Sequence, residues 1–367
     1  MLKFENKIPG SLAVYGEFAK VLFYVYCFLV SIDMLGAAFM LFGSGFAETL
    51  MRATSNPFIG LIIGIVTTSI IQSSSTTTSI IVTMVGANTL PLEHAIPMVM
   101  GANIGTTVTC TIVSFGYLGR RTEFERSFRA SIVHDIFNIS ATLILFPLEL
   151  NTRIIYKTAT HFVGIFSGIG GFQMVSPLML IIRPVSSVFV SFLGNHIILL
   201  VVALAFMFLS MKKIVENMKG IVMEKVESIL NQYLFRNALI SMAFGCAFTA
   251  LVQSSSIATS IIIPLVGAGL LTIEQIFPYT LGANVGTTVT ALLAALTVGT
   301  EAGMAVALAH LLFNIFGICI IYPIRRIPIS LAKSIGGFVA KSKKHFCIFL
   351  LIFILLHFVP IFFAMLN

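Results

Sequence analysis

The sequence predicts an all-α polytopic membrane protein made of two inverted-topology repeats, each with a re-entrant helical hairpin and a broken helix. Three observations carry this expectation. Of 367 residues, 57% are hydrophobic and only 10% charged, with a mean hydropathy of +1.02; a soluble domain carries about 25% charged residues. The tetrad Gln72-Ser73-Ser74-Ser75 returns as Gln253-Ser254-Ser255-Ser256, an offset of 181 residues. The loops flanking the two copies carry opposite charge patterns.

Composition sets the class. Several apolar runs reach the ~20 residues a spanning helix needs. Strand-like alternation is missing, so helices rather than a barrel satisfy the backbone in lipid. The first run, 21–42, follows Lys3, Lys7 and Lys20 and lacks a small-residue cleavage site, so it reads as a retained helix. Runs 58–71 and 77–90 flank the first tetrad and are each too short to span alone. Run 94–115 contains Gly101-Ala102-Asn103-Ile104-Gly105-Thr106-Thr107, and run 130–148 opens with His134-Asp135. Residues 154–182 are apolar but glycine-rich around Gly168-Ile169-Gly170-Gly171, which fits an interfacial or re-entrant connector. Run 185–210 then leads into a Lys- and Glu-bearing segment read as part of an amphipathic helix. Runs 237–252, 257–271, 275–298 and 302–323 repeat the first half, and a basic loop precedes a last run at 346–365. The chain thus divides into an N-terminal membrane helix (1–42), repeat one (43–150), a connecting segment and helix (151–223), repeat two (224–325), and a basic loop with a C-terminal membrane helix (326–367).

The duplication extends well beyond the tetrads. At the same offset Asn56 matches Asn237, Gly64 matches Gly245, Glu93 matches Glu274 and Pro97 matches Pro278. Gly101-Ala102-Asn103 matches Gly282-Ala283-Asn284, and Thr106-Thr107-Val108-Thr109 matches Thr287-Thr288-Val289-Thr290. An internal repeat of this kind fixes the architecture before any local reading. His310-Leu311-Leu312-Phe313-Asn314 mirrors His134-Asp135-Ile136-Phe137-Asn138, with spacing to the repeat core shorter by five residues.

Loop charge orients the repeats. In the loop before the first unit, 43–56, only Arg52 is basic, whereas the loop after it, 116–129, carries Arg120, Arg121, Arg126 and Arg129. A basic loop precedes the second unit, and Thr297 to Gly303 after it has no Lys or Arg. Basic loops stay cytoplasmic, so similar units run in opposite directions, as in many secondary transporters. Each unit then crosses once, which leaves one of its helix pairs as a re-entrant hairpin. The net charge of +8 belongs to these loops and to contact with anionic lipid. The basic residues lie in short separate loops, which argues against nucleic-acid binding. Five cysteines in or beside apolar runs show neither a disulfide framework nor metal spacing.

The repeated core carries the chemistry. Gln72 through Ser79 is an unbroken run of hydroxyl and amide side chains that lipid cannot solvate. Ser and Thr compete with the backbone for hydrogen bonds and tolerate a broken helix. The N–H groups opening the next half-helix favour an anion, and carbonyls, hydroxyls and amide oxygens suit a hard cation such as sodium. Gly101, Gly105, Gly282 and Gly286 permit close backbone approach or a break; Asn103 and Asn284 are ligands or pins for the opposing hairpin. No Lys or Arg lies in either core, so a bound anion needs co-bound cations. His134-Asp135 reads as a structural pair near the cytoplasmic surface, His310 and Asn314 as packing groups, and Glu93 and Glu274 as helix-start contacts.

These motifs, together with Arg121-Thr122-Glu123-Phe124 and His134-Asp135-Ile136-Phe137-Asn138, resemble the type II sodium-dependent phosphate cotransporter family over roughly residues 20–345, in a compact bacterial form. The resemblance implies a sodium:phosphate symporter, not an enzyme, importing inorganic phosphate across the bacterial inner membrane by alternating access. It implies phosphate binding by Ser73, Ser74, Ser75, Ser254, Ser255, Ser256, Asn103 and Asn284. It implies sodium binding by Gln72, Gln253, Thr76, Thr259, Thr106 and Thr287, with sodium as coupling ion, no cofactor and no other metal. Expected partners are phosphate, sodium and membrane lipid, with room for a homo-oligomer. The residues alone also admit a cation-coupled transporter of sulfate or a carboxylate, and, less well, a membrane serine hydrolase using His134 or His310 as base.

Overall fold

The computed structural model describes residues 11–168, 177–229, 235 and 237–358. Among them every regular element is helical. Helix α1 (Ser11–Thr54) is interrupted at Gly43, whose φ of 76° lies in the region glycine favours. Its part Gly45–Thr54 meets α2 (Pro57–Ile71) at a bend of 100°. Asn56 makes that corner: its Oδ1 accepts the Phe58 N–H, and Pro57 sits at the first helical position. Helix α3 (Ser74–Gly86) follows the first tetrad, then α4 (Leu92–Gly105), the turn Thr106-Thr107, α5 (Val108–Phe115) and the long α6 (Arg121–Thr152).

The connection between the halves is helical. It comprises α7 (Ile154–Gly168), α8 (Pro177–Leu193) and α9 (His196–Ile229). The apolar run 185–210 is divided between α8 and α9. Gly194 turns the chain at φ 57°, and Asn195 Oδ1 accepts the N–H groups of Ile197 and Ile198 to start α9 afresh. Helices α8 and α9 lie against α1, whereas α7 packs on α14 (Glu301–Ile321). The glycine-rich part of the connector, 169–176, and the end of the last run lie outside the described residues.

The second half rebuilds the first. Asn237 caps α10 (Ala238–Val252) as Asn56 caps α2. After the second tetrad come α11 (Ser255–Ser260), α12 (Ile262–Gly267) and α13 (Ile273–Val298), with α15 (Arg326–Val339) and α16 (Lys343–Phe358) following α14. The helix-start reading of the two glutamates agrees with their contacts. Glu93 pairs with Arg153 at 2.9 Å and Glu274 with Lys333 at 2.5 Å, tying the start of α4 to the end of α6 and the start of α13 to the middle of α15.

The broken helix expected in each repeat occurs at both tetrads, between α2 and α3 and between α10 and α11; a further interruption occurs in one repeat only. The α4–α5 stretch opens at Thr106-Thr107, but α13 runs unbroken through Thr287-Thr288. The reason is local. Asp135 accepts the Thr107 hydroxyl and lies 3.4 Å from Thr111 Oγ1, so polar groups support the open turn. At the matching positions the second half has Leu292 for Thr111 and Leu311 for Asp135, which offer an opened turn nothing.

Packing within each half rests on backbone contact. A Cβ on Gly101 would sit 2.0 Å from Leu61 O, and one on Gly282 would sit 1.9 Å from Met242 O. Gly64 and Gly245 meet α4 and α13 equally closely from the other side. These glycines therefore let α2 lie on α4 and α10 on α13, the way small residues bring membrane helices together. The second arm of each hairpin packs on the other half: α3 against α13 and α14, and α11 and α12 against α5, with α12 also on α6. Six helices among the described residues are long and apolar enough to cross a membrane, or seven if the bent pair is one span. The protein is a multi-pass membrane protein.

Gly282→Ala should therefore destabilise the fold by about 1–3 kcal/mol through overpacking. Gly164→Ala, with nothing within 4 Å of the added carbon, should be neutral or slightly stabilising. Thermal unfolding of the two purified variants measures the contrast.

Candidate functional site

The two tetrads adopt one conformation. Gln72 (φ 58°, ψ 26°) and Gln253 (φ 58°, ψ 23°) end their helices in the left-handed region. Their N–H groups close on Thr68 O at 2.6 Å and Thr249 O at 2.7 Å. The next serine caps the following helix: Ser73 Oγ accepts the Thr76 N–H at 3.2 Å, and Ser254 Oγ accepts the Ile257 N–H at 3.4 Å. Beyond the caps, Ser74, Ser75 and Ser255 are buried, at 2%, 2% and 3% exposure, yet their hydroxyls have no hydrogen-bond partner among the described residues. The N–H groups of Ser74 and Ser75 open a 13-residue helix and have no intrahelical acceptor. Each break thus presents donors without a compensating protein group among the described residues. Ser256 crosses between halves, donating to Thr106 O at 3.4 Å, with its Oγ also 3.4 Å from Thr106 Oγ1.

The remaining predicted residues fall into two groups. Thr76 Oγ1 lies 2.9 Å from Ser73 Oγ, Thr259 donates to Ser255 O at 2.7 Å, and Thr287 donates to Ala283 O at 3.0 Å, so each is held by its own segment. Thr259 Oγ1 also lies 2.8 Å from Cys110 Sγ across the repeat boundary. Asn103 and Asn284 belong to a buried polar chain. His134 Nε2–H donates to Asn284 Oδ1 at 2.6 Å, Asn284 Nδ2 to Asn138 Oδ1 at 2.7 Å, and Asn138 Nδ2 to Asn103 O at 2.7 Å. His310 Nε2 faces Asn103 Oδ1 at 3.4 Å. Each histidine thus reaches the asparagine of the other repeat.

This corrects the reading of His134 and Asp135 as one structural pair near the surface, and of His310 as a mere packing group. The side chains of His134 and Asp135 diverge: the histidine reaches Asn284, and the carboxylate turns to Thr107 and Thr111 at the open turn. Asp135 is buried, and no basic side chain pairs with it among the described residues. Sequence reasoning missed it as a site residue. The available signal was that Thr111 and Asp135 are both leucine in the other repeat, a polar pair present or absent together.

The halves differ in state although their backbones match at the tetrads. Gln253 is buried, and its Oε1 accepts the Thr290 hydroxyl at 2.6 Å. Its counterpart Gln72 is exposed, and Thr109 Oγ1, the counterpart of Thr290, is buried without a partner. Likewise Asn138 bridges the two repeats, whereas Asn314 turns back to its own His310 O at 3.0 Å and leaves its Oδ1 unpaired. The tetrad glutamine is satisfied in the second half and not the first, and the helix asparagine in the first and not the second.

The asymmetry gives unequal costs for one chemical change. Thr290→Val strands a buried amide oxygen and should cost about 1–3 kcal/mol. Thr109→Val removes a hydroxyl that already lacks a partner and should be neutral or stabilising. Thermal unfolding in detergent separates the two variants.

The chain has relatives among known proteins. The family profile described as Na+/Pi-cotransporter matches residues 27–176 and 206–326. The chain is 33% identical over 419 residues to "Sodium-dependent phosphate transport protein 2A" of Ovis aries, covering 92% of this chain and 66% of the relative. It is 33% identical over 414 residues to the protein of the same name from Rattus norvegicus, covering 91% of this chain and 65% of the relative. It is 30% identical over 441 residues to "Sodium-dependent phosphate transport protein 2B" of Homo sapiens, covering 93% and 64% respectively. The alignments thus span just under two thirds of these relatives' length. No solved structure matches the chain. The match runs through both tetrads and both Gly-Ala-Asn segments, and the chain belongs to the Na+/Pi-cotransporter family.

Proposed function

We propose that the chain is a sodium-coupled symporter that imports inorganic phosphate by alternating access, with phosphate held between the two Gln-Ser-Ser-Ser motifs. The observation that carries this reading is the set of unpartnered hydroxyls on the largely buried residues Ser74, Ser75 and Ser255 at two equivalent helix breaks. Phosphate oxygens accept from these hydroxyls and from the N–H groups of Ser74 and Ser75. Ser73 and Ser254 hold the breaks in shape, and Ser256 ties one break to Thr106. Asn103 and Asn284 position the sites from the cross-repeat chain. The family relatives are named as sodium-dependent phosphate transport proteins, which supports the same substrate and ion.

Charge balance assigns the coupling ion. Neither core holds Lys or Arg, so phosphate enters with cations. Asp135, alone and buried beside the Thr107 and Thr111 hydroxyls, offers one cation an anionic ligand. Gln72, Gln253, Thr76, Thr259, Thr106 and Thr287 supply the neutral oxygens expected of sodium ligands. The two repeats lie inverted in the bacterial plasma membrane, each hairpin entering without crossing. They exchange open and closed arrangements, of which the present asymmetry is one. A hydrolase reading loses its base: no serine of either tetrad bonds a histidine among the described residues, because His134 and His310 face asparagines.

Proteoliposomes containing the purified chain should accumulate labelled phosphate only under an inward sodium gradient. Arsenate should compete and sulfate should not; competition by sulfate or a dicarboxylate instead would move the chain to another anion. Ser74→Ala and Ser255→Ala each remove a hydrogen bond to a charged ligand, worth about 1.5–3 kcal/mol, so KM for phosphate should rise roughly ten- to a hundredfold. Asp135→Asn should raise the sodium concentration needed for half-maximal uptake. Unaltered sodium and phosphate dependence across all three variants would sink the assignment.

A further inference from the structure

Away from the tetrads, the turn between α14 and α15 closes a cleft of about 610 Å³ against the start of α13. Arg325, Arg326, Lys333 and Ser330 line it on one side, and Phe235 and Pro278 make an apolar wall. Its charges do not cancel. Glu274 is taken by Lys333 at 2.5 Å, the Arg325 guanidinium lies 4.8 Å over the Tyr322 ring, and Arg326 has no partner among the described residues. Two arginines therefore face the cleft without a carboxylate of their own.

The helix that carries this cleft is two-faced. Arg326, Ser330 and Lys333 recur at helical spacing on the cleft side. Ile327 and Leu331 point outward at 56% and 46% exposure, on a helix whose Pro328, Ile329 and Ala332 are buried. A helix with basic residues beside an exposed aliphatic stripe lies in the membrane interface. The loop is among the basic ones placed on the cytoplasmic side by charge, where anionic lipid concentrates.

We propose that this cleft binds the headgroup of an anionic glycerophospholipid. The phosphodiester pairs with Arg325 and Arg326, the glycerol lies against Ser330 and the apolar wall, and the acyl chains leave along Ile327 and Leu331. Guanidinium groups suit such a ligand because their paired N–H groups match two phosphate oxygens. A free phosphate ion shares the headgroup's charge chemistry but has no use for the apolar wall or the adjoining aliphatic stripe, which is why the lipid is the better occupant. The proposal is independent of what the tetrads transport.

The test is thermal unfolding of the full chain in detergent, titrated with short-chain phosphatidylglycerol, with phosphatidylcholine of the same acyl length, and with inorganic phosphate at matched ionic strength. Phosphatidylglycerol should raise the unfolding temperature and phosphatidylcholine should not. In Arg325→Gln/Arg326→Gln the apparent affinity for phosphatidylglycerol should fall roughly tenfold or more, while the response to inorganic phosphate persists. If the double variant does not fold, Ser330→Glu places a carboxylate in the cleft with both arginines intact and should abolish the same response. Equal responses to the two lipids overturn the proposal, as does a phosphatidylglycerol response that survives whichever variant folds. Loss of the inorganic phosphate response in the double variant assigns the cleft to the free ion and overturns the lipid occupant.

Discussion

The structure depends on one chain of hydrogen bonds. His134, Asn284, Asn138 and Asn103 are all buried, and each amide or imidazole left unpaired in such a place costs about 1–3 kcal/mol. Their geometry is satisfied only if α6 and α4 of one half stand at a fixed height against α13 of the other. Apolar packing could not impose this, because aliphatic surface in lipid tolerates sliding and gains little from one register over another. The glycine contacts then serve a complementary purpose. They seat α2 on α4 and α10 on α13 without intervening side chains, so each tetrad is carried rigidly by the asparagine-bearing helix beside it. The polar chain fixes the halves to each other, and the glycines fix each tetrad to its half.

Much of this was legible in the sequence, for a physical reason. Polar residues in a membrane segment are expensive, so a repeated polar pattern cannot be incidental. Both tetrads broke their helices at the residue where the glutamine ends one helix and the serine starts the next, and the apolar runs gave the arms their lengths. The glycines read as close contact or break turned out to be contact, because at Gly101 and Gly282 the neighbouring backbone occupies the space of a Cβ. What the sequence hid was the partnering. His134 and Asp135 are adjacent in the chain and invite a joint reading, but neighbouring helical residues point about 100° apart. They therefore met different partners on different helices. The interruption within 185–210 was equally hidden, since Gly194 and Asn195 stand in a run apolar enough to read as continuous.

The single-copy carboxylate explains why two similar sequences differ in shape. Where Asp135 and Thr111 stand, the facing helix opens; where Leu311 and Leu292 stand, it does not. An opened turn exposes peptide groups that need polar neighbours, and leucine provides none. The duplication supplied two equivalent helix breaks, and divergence at these two positions supplied one buried polar niche beside Asp135. That division fits the electrostatics of the proposed symport: the anion needs donors from both halves, whereas each added cation needs only one concentrated negative charge.

The same comparison bears on how such a molecule moves. Two repeats of near-identical backbone at Gln72 and Gln253 show opposite side-chain states, one amide bonded and one released. The orphaned Thr109 hydroxyl is the counterpart of a bonded Thr290, so the first half already contains the partner its glutamine lacks. In the proposed alternating-access cycle, a hydrogen bond made in one half and unmade in the other nearly cancels when the halves trade arrangements, because the broken contact has an equivalent waiting. Exchange between the two is then close to isoenergetic apart from the Asp135 niche, which belongs to one half only. The balance of the proposed cycle therefore falls to that niche, since the charge there is the main difference the duplication does not repeat.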